Sequence, residues 1–229
     1  MSRAFALLPL LALAACNQGP KVDEDGFPTL GRPVAPIVSD RFSTEDVRDR
    51  LGEAEAVMEL AGVSAGMNIA DIGAGEGYYT VRLSPRVGAE GRIVAQDIQP
   101  AVRDALARRV QREGLDNVSV RLGEADDPRL PDESFDRIFL VHMYHEVTEP
   151  YQFLWNLRQS LNEDGLIVVV DANRPVKRHG IPPALLDCEF GALGLSRVDM
   201  TELDGGEAYF ATFRIDGALP EPTAIEPCN

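Results

Sequence analysis

A glycine-rich turn follows a short apolar run in the stretch IADIGAGEGYYT, residues 69–80. Three glycines, Gly73, Gly75 and Gly77, occupy alternate positions within five residues. Glycine is used where a tight turn or a closely bound ligand leaves no room for a Cβ atom. Because the turn lies between an apolar run and a helical pattern, it predicts a strand–loop–helix unit with a ligand against the loop.

The spacing of these glycines argues against a dinucleotide as that ligand. The dinucleotide fingerprint is G-x-G-x-x-G, and its third glycine falls on Tyr78, which is too bulky for close helix–strand packing. The loop also lacks the Lys-Ser/Thr pair of a phosphate-binding P-loop. Asp97 ends the next apolar run, where a carboxylate can accept hydrogen bonds from a ribose diol. Asp97 therefore predicts a cofactor that contains a nucleoside, but it does not distinguish one such cofactor from another.

The order of apolar runs predicts an α/β fold. A helical pattern over 46–63 precedes five predicted strands, MNIADIG, RIVAQDI, VSVRLGE, FDRIFLVHM and LIVVVD, which alternate with helical patterns. The runs at 138–141 and 166–170 do not alternate, as is typical of strands covered on both faces. The stretch SRVDMTELDGGEAYFATFRI then predicts a hairpin. We therefore expect a doubly wound, mostly parallel seven-stranded sheet closed by an antiparallel hairpin.

With these motifs in order, the chain from about Asp46 to Ile215 resembles the class I S-adenosylmethionine-dependent methyltransferases. The stretches IADIGAGEG, VAQDI, GEADDPRLPDESFD, VHMYHEV and LNEDGLIVVVD are similar to successive motifs of that family. The resemblance implies S-adenosylmethionine as cofactor and a Rossmann-like fold. It implies contacts with the methionine part from Asp71, Gly73, Ala74, Gly75, Gly77 and His142. It also implies that Asp97 binds the ribose, that Glu124 and Ala125 border the adenine, and that Ile98 is a further cofactor contact. The family usually has Asp where this chain has Glu124.

The segment after the fourth strand carries the candidate catalytic residues. Methyl transfer needs an aligned nucleophile and, for some acceptors, a base, and histidine is the natural base near neutral pH. His145, paired with Glu146 or Tyr144, is the candidate, while packing and capping are the alternative roles. Asp171 and Asn173 are candidate acceptor contacts, and His179 lies in a loop that could cover the site or simply face solvent. The chain has no CxxC or HExxH motif, so we expect no metal.

The net charge of −15 limits the partners of the chain. A phosphate backbone demands a face rich in Lys and Arg, so we expect no nucleic acid. The same charge disfavours electrostatic docking on anionic lipid. A small-molecule or lipid-linked substrate is the expected partner, and the sequence does not predict an oligomeric state.

The first sixteen residues, MSRAFALLPLLALAAC, predict export. One basic residue precedes an apolar stretch too short to span a bilayer, as in a secretory signal. The end of the stretch resembles the bacterial lipobox, which implies a signal peptide over 1–15, lipidation of Cys16 and, because Asn17 follows, an outer-membrane anchor facing the periplasm. An ordinary signal peptide is the alternative. We expect a tether over 16–39, the methyltransferase domain over 40–216 and a loose tail over 217–229.

Two alternatives stay open at this stage. Cys188 and Cys228 could form a disulfide in an oxidising compartment, but the preferred interpretation is a buried Cys188 and an unpaired Cys228. The leading functional hypothesis is a methyltransferase. The alternative is a membrane-anchored protein that binds S-adenosylmethionine without catalysis, because that cofactor is made in the cytosol. An NAD-dependent oxidoreductase is disfavoured by Tyr78.

Overall fold

The computed structural model describes residues 21–37, 45–203 and 207–228. It contains a seven-stranded sheet with the strand order β3-β2-β1-β4-β5-β7-β6. The first five strands are parallel, and β7 runs antiparallel to both β5 and β6. The strands are β1 (Asn68–Ile72), β2 (Arg92–Asp97), β3 (Val118–Leu122), β4 (Phe135–Val141), β5 (Leu161–Ala172), β6 (Leu195–Glu202) and β7 (Ala208–Ile215). The predicted fold class is confirmed.

The central strands are buried on both faces, as their unbroken apolar runs predict. Ile69 and Ile138 are at most 1% exposed, and Ile167 to Val170 are fully buried. Two apolar clusters result, one on each side of the sheet. Strands buried on both faces are typical of a parallel sheet with helices packed on each side.

Six helices cover the sheet in the described part of the chain. They are α1 (Glu45–Arg50), α2 (Glu53–Leu60), α3 (Tyr78–Val87), α4 (Pro100–Glu113), α5 (Pro150–Gln159) and α6 (Pro183–Gly191). The single helix expected over 46–63 is divided by Gly52, whose φ of +65° breaks the helix. The short α6 was not predicted, and it buries Leu186 and Phe190 on one side.

Two terminal segments differ from the sequence prediction. Residues 21–37 belong to the expected tether, yet Phe27 and Ala35 are buried and Arg32 forms an ion pair with Glu189 at 2.6 Å. The expected loose tail over 217–229 is wrong, because Ile225 is 3% exposed. Apolar side chains isolated among Pro, Gly and Asp show no helical or strand period, so the sequence did not predict this packing.

The tail is also bonded covalently to α6. Cys188 and Cys228 form a disulfide with a Cα–Cα distance of 6.0 Å. The preferred interpretation of an unpaired Cys228 is therefore wrong, and Cys188 is exposed on its helix rather than buried. Cys228 also donates its backbone N–H to the Tyr151 hydroxyl at 2.7 Å.

The predicted signal peptide and Cys16 lie outside the described residues. Among the helices that are described, none is both long enough and apolar enough to cross a membrane.

Candidate active site

The loop between β1 and α3 holds its three glycines in left-handed backbone conformations. The φ angles are +65° at Gly73, +57° at Gly75 and +90° at Gly77. A Cβ at Gly77 would lie 2.5 Å from Leu106 Cδ1, and one at Gly73 would lie 3.0 Å from Met143 Cγ. A Cβ at Gly75 would have a single neighbour within 4 Å among the described residues, the Gly73 carbonyl oxygen at 4.0 Å. Gly73 and Gly77 thus allow close packing, whereas Gly75 faces space that a ligand can occupy.

Asp97 ends β2 directly beside this loop. Its Oδ2 accepts a hydrogen bond from the Gly75 N–H at 3.2 Å, and its Oδ1 accepts one from the Gln99 N–H at 2.9 Å. Burial raises the pKa of Asp97, and hydrogen bonds from the backbone N–H groups of Gln99, Gly75 and Ile98 oppose that rise. Each carboxylate oxygen keeps capacity for a further donor. The backbone donors therefore fix a carboxylate that can still accept hydrogen bonds from a diol.

Asp71 lies beneath the loop at the end of β1. The side chain is 2% exposed, and its Oδ2 accepts a hydrogen bond from the Thr80 hydroxyl at 2.6 Å. Burial raises the pKa of Asp71 to about 6. The adjacent Ala74 N–H donates to the Gln96 carbonyl at 2.9 Å, which ties the loop to β2. An acidic group is thus held next to the loop.

Exposed side chains border Asp97 on the other side. Ile98 is 38% exposed, and Glu124 and Ala125 after β3 are exposed as well. The Gly123 N–H donates to the Asp97 carbonyl at 3.2 Å, so this turn lies against the end of β2. Glu124 forms an ion pair with Arg129. The structure thus brings together the four residues predicted to border the ribose and adenine.

A second group of polar side chains lies between α2 and the end of β4. Glu53 accepts hydrogen bonds from the Tyr79 hydroxyl at 3.0 Å and from Arg48 Nη2 at 2.6 Å. His142 Nε2 lies 3.6 Å from Glu53 Oε1. Burial opposes ionisation of Glu53, but His142 and Arg48 outweigh it and lower the pKa to about 2. His142 itself has a φ of +53° and donates its backbone N–H to Val170 at 2.7 Å.

A cavity of about 700 Å³ opens beside His142. It lies between the α1–α2 segment and the β6–β7 hairpin. Its apolar walls include Leu51, Leu60 and Leu203, and its polar lining combines four carboxylates with His142 and Arg174. The carboxylates belong to Glu53, Glu59, Glu202 and Glu207. The cavity therefore suits a partly apolar molecule and repels an anionic one.

The predicted catalytic residues after β4 are enclosed. His145 is 0% exposed, and its Nδ1 lies 3.0 and 2.9 Å from the two carboxylate oxygens of Asp171. Its partner is thus Asp171, whereas Glu146 Oε1 lies 4.0 Å from Nε2. Tyr144 donates its hydroxyl to Glu189 at 2.8 Å, and burial and Glu189 hold its pKa well above the usual range. Catalytic roles for His145 and Tyr144 stay predictions.

Two other predicted residues lie close to this pair. The His179 ring is 5.6 Å from the His145 ring, measured between centroids, so His179 is not a plain surface histidine. Asn173 is exposed just beyond the end of β5.

Comparison with known proteins identifies the domain. Residues 70–169 match a protein family described as a methyltransferase domain. An S-adenosylmethionine-dependent methyltransferase structure from Aquifex aeolicus superimposes with a TM-score of 0.68 and 26% identity, over 73% of this chain and 92% of that one. Residues 70–169 thus match a methyltransferase domain, within a fold shared with an S-adenosylmethionine-dependent methyltransferase.

The curated relatives align with this chain over only part of their own length. A ubiquinone/menaquinone biosynthesis C-methyltransferase from Idiomarina loihiensis is 31% identical over 121 residues, which is 52% of this chain and 48% of that protein. A demethylmenaquinone methyltransferase from Tropheryma whipplei is 33% identical over 120 residues, with the same coverage. The chain thus spans about half the length of these relatives.

The residues of the methyltransferase domain fit S-adenosylmethionine, the cofactor of this family. The open face of Gly75 leaves room where a Cβ would intrude, and Asp97 retains acceptor capacity for the ribose hydroxyls. Asp71 would provide a carboxylate for the cationic methionine part, and the exposed Ile98 would offer apolar surface to the cofactor. Sulfonium and ammonium charges favour such an acidic environment.

The sequence analysis missed three residues of the methyltransferase site. Glu53, Arg48 and Tyr79 form the wall next to His142, but each lies within an ordinary amphipathic pattern. The contact depends on how α1 and α2 pack against α3, and a helical period does not specify that placement. The pairing of His145 with Asp171 likewise joins two strand ends that are 26 residues apart.

Proposed function

We propose that this chain transfers the methyl group of S-adenosylmethionine to a small or lipid-linked, uncharged and largely apolar acceptor that binds in the cavity beside His142. The position of His142 carries this proposal. It ends the β4 segment next to Met143, which contacts Gly73 of the cofactor loop, and it also lines the cavity. Two consecutive side chains thus border the cofactor loop and the acceptor cavity.

Methyl transfer is an in-line displacement in which the acceptor's electron pair forms the new bond to carbon as the carbon–sulfur bond breaks. S-adenosylmethionine supplies an already activated methyl group when it is bound. The protein must align the acceptor and remove its proton. Glu53 lies 3.6 Å from Nε2 of His142, and we assign the imidazole of His142 as the base that receives the proton. Glu53 holds the ring in place through this contact.

The lining of the cavity supports an uncharged acceptor with an apolar body. Leu51 and Leu60, in the α1–α2 segment, are 49% and 42% exposed and line the same cavity, so they present apolar surface to an acceptor. The cavity lining carries four carboxylates and one arginine, and this negative charge disfavours an anionic acceptor. The names of the two curated relatives refer to quinones, which are apolar ring compounds.

We also propose that the domain operates in the cell envelope on a lipid anchor at Cys16. The lipobox-like sequence supports the anchor. The disulfide between Cys188 and Cys228 supports an oxidising compartment, where such bonds persist. An apolar, lipid-linked acceptor would be within reach of a domain anchored there.

Transfer of radioactive methyl label tests the proposed function. The full chain is incubated with labelled S-adenosylmethionine and a detergent extract of cell envelopes. We expect label in an organic-soluble product, and His142→Asn should lower turnover about 10²- to 10⁴-fold while S-adenosylhomocysteine binding changes little. Binding without any label transfer would contradict the proposal.

A further inference from the structure

His145 presents an unused ring nitrogen inside the protein. Since a carboxylate only accepts hydrogen bonds, the Nδ1 atom that faces Asp171 at 2.9 Å is the donor. In the neutral ring, the lone pair therefore lies on Nε2. This atom is buried and has no hydrogen-bond partner among the described residues. Buried polar atoms are nearly always satisfied, so an unsatisfied one calls for a physical explanation.

Two further electron-pair donors face the same point. Glu146 Oε1 lies 4.0 Å from His145 Nε2. A ring nitrogen of His179 completes a set of three atoms that all lie within 4.8 Å of one another. An Nε2 atom that carries a lone pair and a carboxylate oxygen are both hydrogen-bond acceptors, so they cannot form a hydrogen bond with each other. The three side chains thus offer electron pairs to one point, where a cation would satisfy the buried Nε2 atom of His145.

The loop that carries His179 is held in a strained and fixed conformation. His179 has a φ of +57°, which is uncommon outside glycine and is maintained only where the surroundings impose it. Arg174 Nε donates to the His179 carbonyl at 2.9 Å, and the Ile181 N–H donates to the Ala172 carbonyl at 2.9 Å. A Cβ at Gly180 would lie 2.4 Å from the same Ala172 oxygen. These contacts press His179 against the end of β5, close to His145.

A carboxylate that orients a coordinating histidine through its other nitrogen is a regular feature of metal sites. Asp171 already occupies that position behind His145.

We propose that His145, Glu146 and His179 bind a divalent transition-metal cation of the zinc type, with Asp171 as the positioning residue. Two imidazoles and one carboxylate form a known ligand set for zinc and for non-haem iron, and three protein ligands leave a coordination position open. Metal–ligand bonds of about 2.0–2.2 Å place ligand atoms about 3.0–3.5 Å apart, so the side chains would close by about 1 Å. In this arrangement His145 is a ligand rather than a proton acceptor.

Direct metal analysis tests the site without any measurement of methyl transfer. The full chain is purified in detergent without a histidine tag, stripped with a chelator and titrated with Zn²⁺. We expect one zinc ion per chain by mass spectrometry of the metal content. His179→Ala should weaken zinc binding at least 100-fold, and Asp171→Asn should weaken it about 10- to 100-fold. His142→Ala is the matched control, because it removes a histidine outside the cluster and should retain the zinc.

His145→Ala should abolish zinc binding too, but His145 is fully buried and its loss could also disturb folding. His179 is half-buried, so its variant carries the test if His145→Ala fails to fold. The proposal is overturned if the parent binds no zinc, as expected for a doubly protonated His145 that donates to Glu146. It is equally overturned if His179→Ala binds zinc as tightly as the parent.

Discussion

The Nε2 atom of His142 lies 3.6 Å from the Oε1 atom of Glu53, across the boundary between β4 and α2. This carboxylate has a pKa of about 2 in the folded protein against 4.5 for an ordinary glutamate. A depressed pKa contributes stability that is fully present above pH 4.5 and is lost as the pH falls towards 2. From that shift, the contribution is about 3 kcal/mol before screening is considered.

Glu53→Gln should therefore lower the free energy of unfolding at pH 7, and the difference from the parent should shrink between pH 4.5 and 2. Urea denaturation at a series of pH values measures this. Glu55→Gln is the matched control on the same helix, because Glu55 pairs with Arg86 at an exposed position and should change stability by less than about 0.5 kcal/mol. An equal deficit of Glu53→Gln at pH 3 and pH 7 would contradict the argument.

Two glycines of the cofactor loop should respond differently to alanine. Gly77→Ala places a Cβ against Leu106 as well as straining a φ of +90°, so it should destabilise the fold by about 2–4 kcal/mol. Gly75→Ala has space and suffers only the backbone penalty of about 1–2 kcal/mol. Thermal denaturation measures the stability of the two alanine variants. Calorimetry should show that Gly75→Val loses S-adenosylhomocysteine binding. A greater loss of stability in Gly75→Ala than in Gly77→Ala would refute the packing assignment.

The disulfide should stabilise the folded protein. The two cysteines are 40 residues apart, and closing a loop of that length removes unfolded-state entropy worth about 3–4 kcal/mol. Cys228→Ser should therefore melt at a lower temperature than the parent, and reduction should lower the parent's melting temperature to a similar degree. The double variant Cys188→Ser/Cys228→Ser should not respond to reductant. A parent that melts identically with and without reductant would show that the bond contributes nothing.

The anchor at Cys16 is a prediction from the sequence alone. Cys16→Ser should leave the precursor uncleaved and without lipid, while the domain still folds because its core lies in other residues. Labelling of growing cells with radioactive palmitate measures the modification, and circular dichroism of the purified variant checks its fold. Retention of label in the variant would end the lipoprotein proposal.

The sequence predicted the sheet because its central strands carry their own signal. Residues 166–170 are apolar without alternation, and they are buried on both faces in the structure. The cofactor side was predictable for a similar reason, since Gly75 and Asp97 lie in short motifs whose spacing reflects local backbone geometry. Local constraints of this kind are visible in a few consecutive residues.

Contacts between distant segments were not predictable in the same way. The predicted tether and tail pack on the domain through single residues such as Phe27 and Ile225, which show no period. His145, Glu146 and His179 belong to two loops that only the fold brings together, so no ligand motif appears in the sequence. The site wall at Glu53 likewise depends on the break at Gly52, which a helical pattern over 46–63 conceals.

The cofactor site is tested most directly by the affinity of Asp97→Ala for S-adenosylhomocysteine. Asp97 should accept both ribose hydroxyls, and each hydrogen bond to a charged acceptor contributes about 1.5–3 kcal/mol. With partial replacement by water, affinity should fall about 30- to 1,000-fold by calorimetry, with Asp116→Ala, a surface control, unchanged. The parent should bind S-adenosylhomocysteine and not NAD. An Asp97→Ala variant that binds S-adenosylhomocysteine as tightly as the parent, with the same melting curve, would contradict this placement of the cofactor.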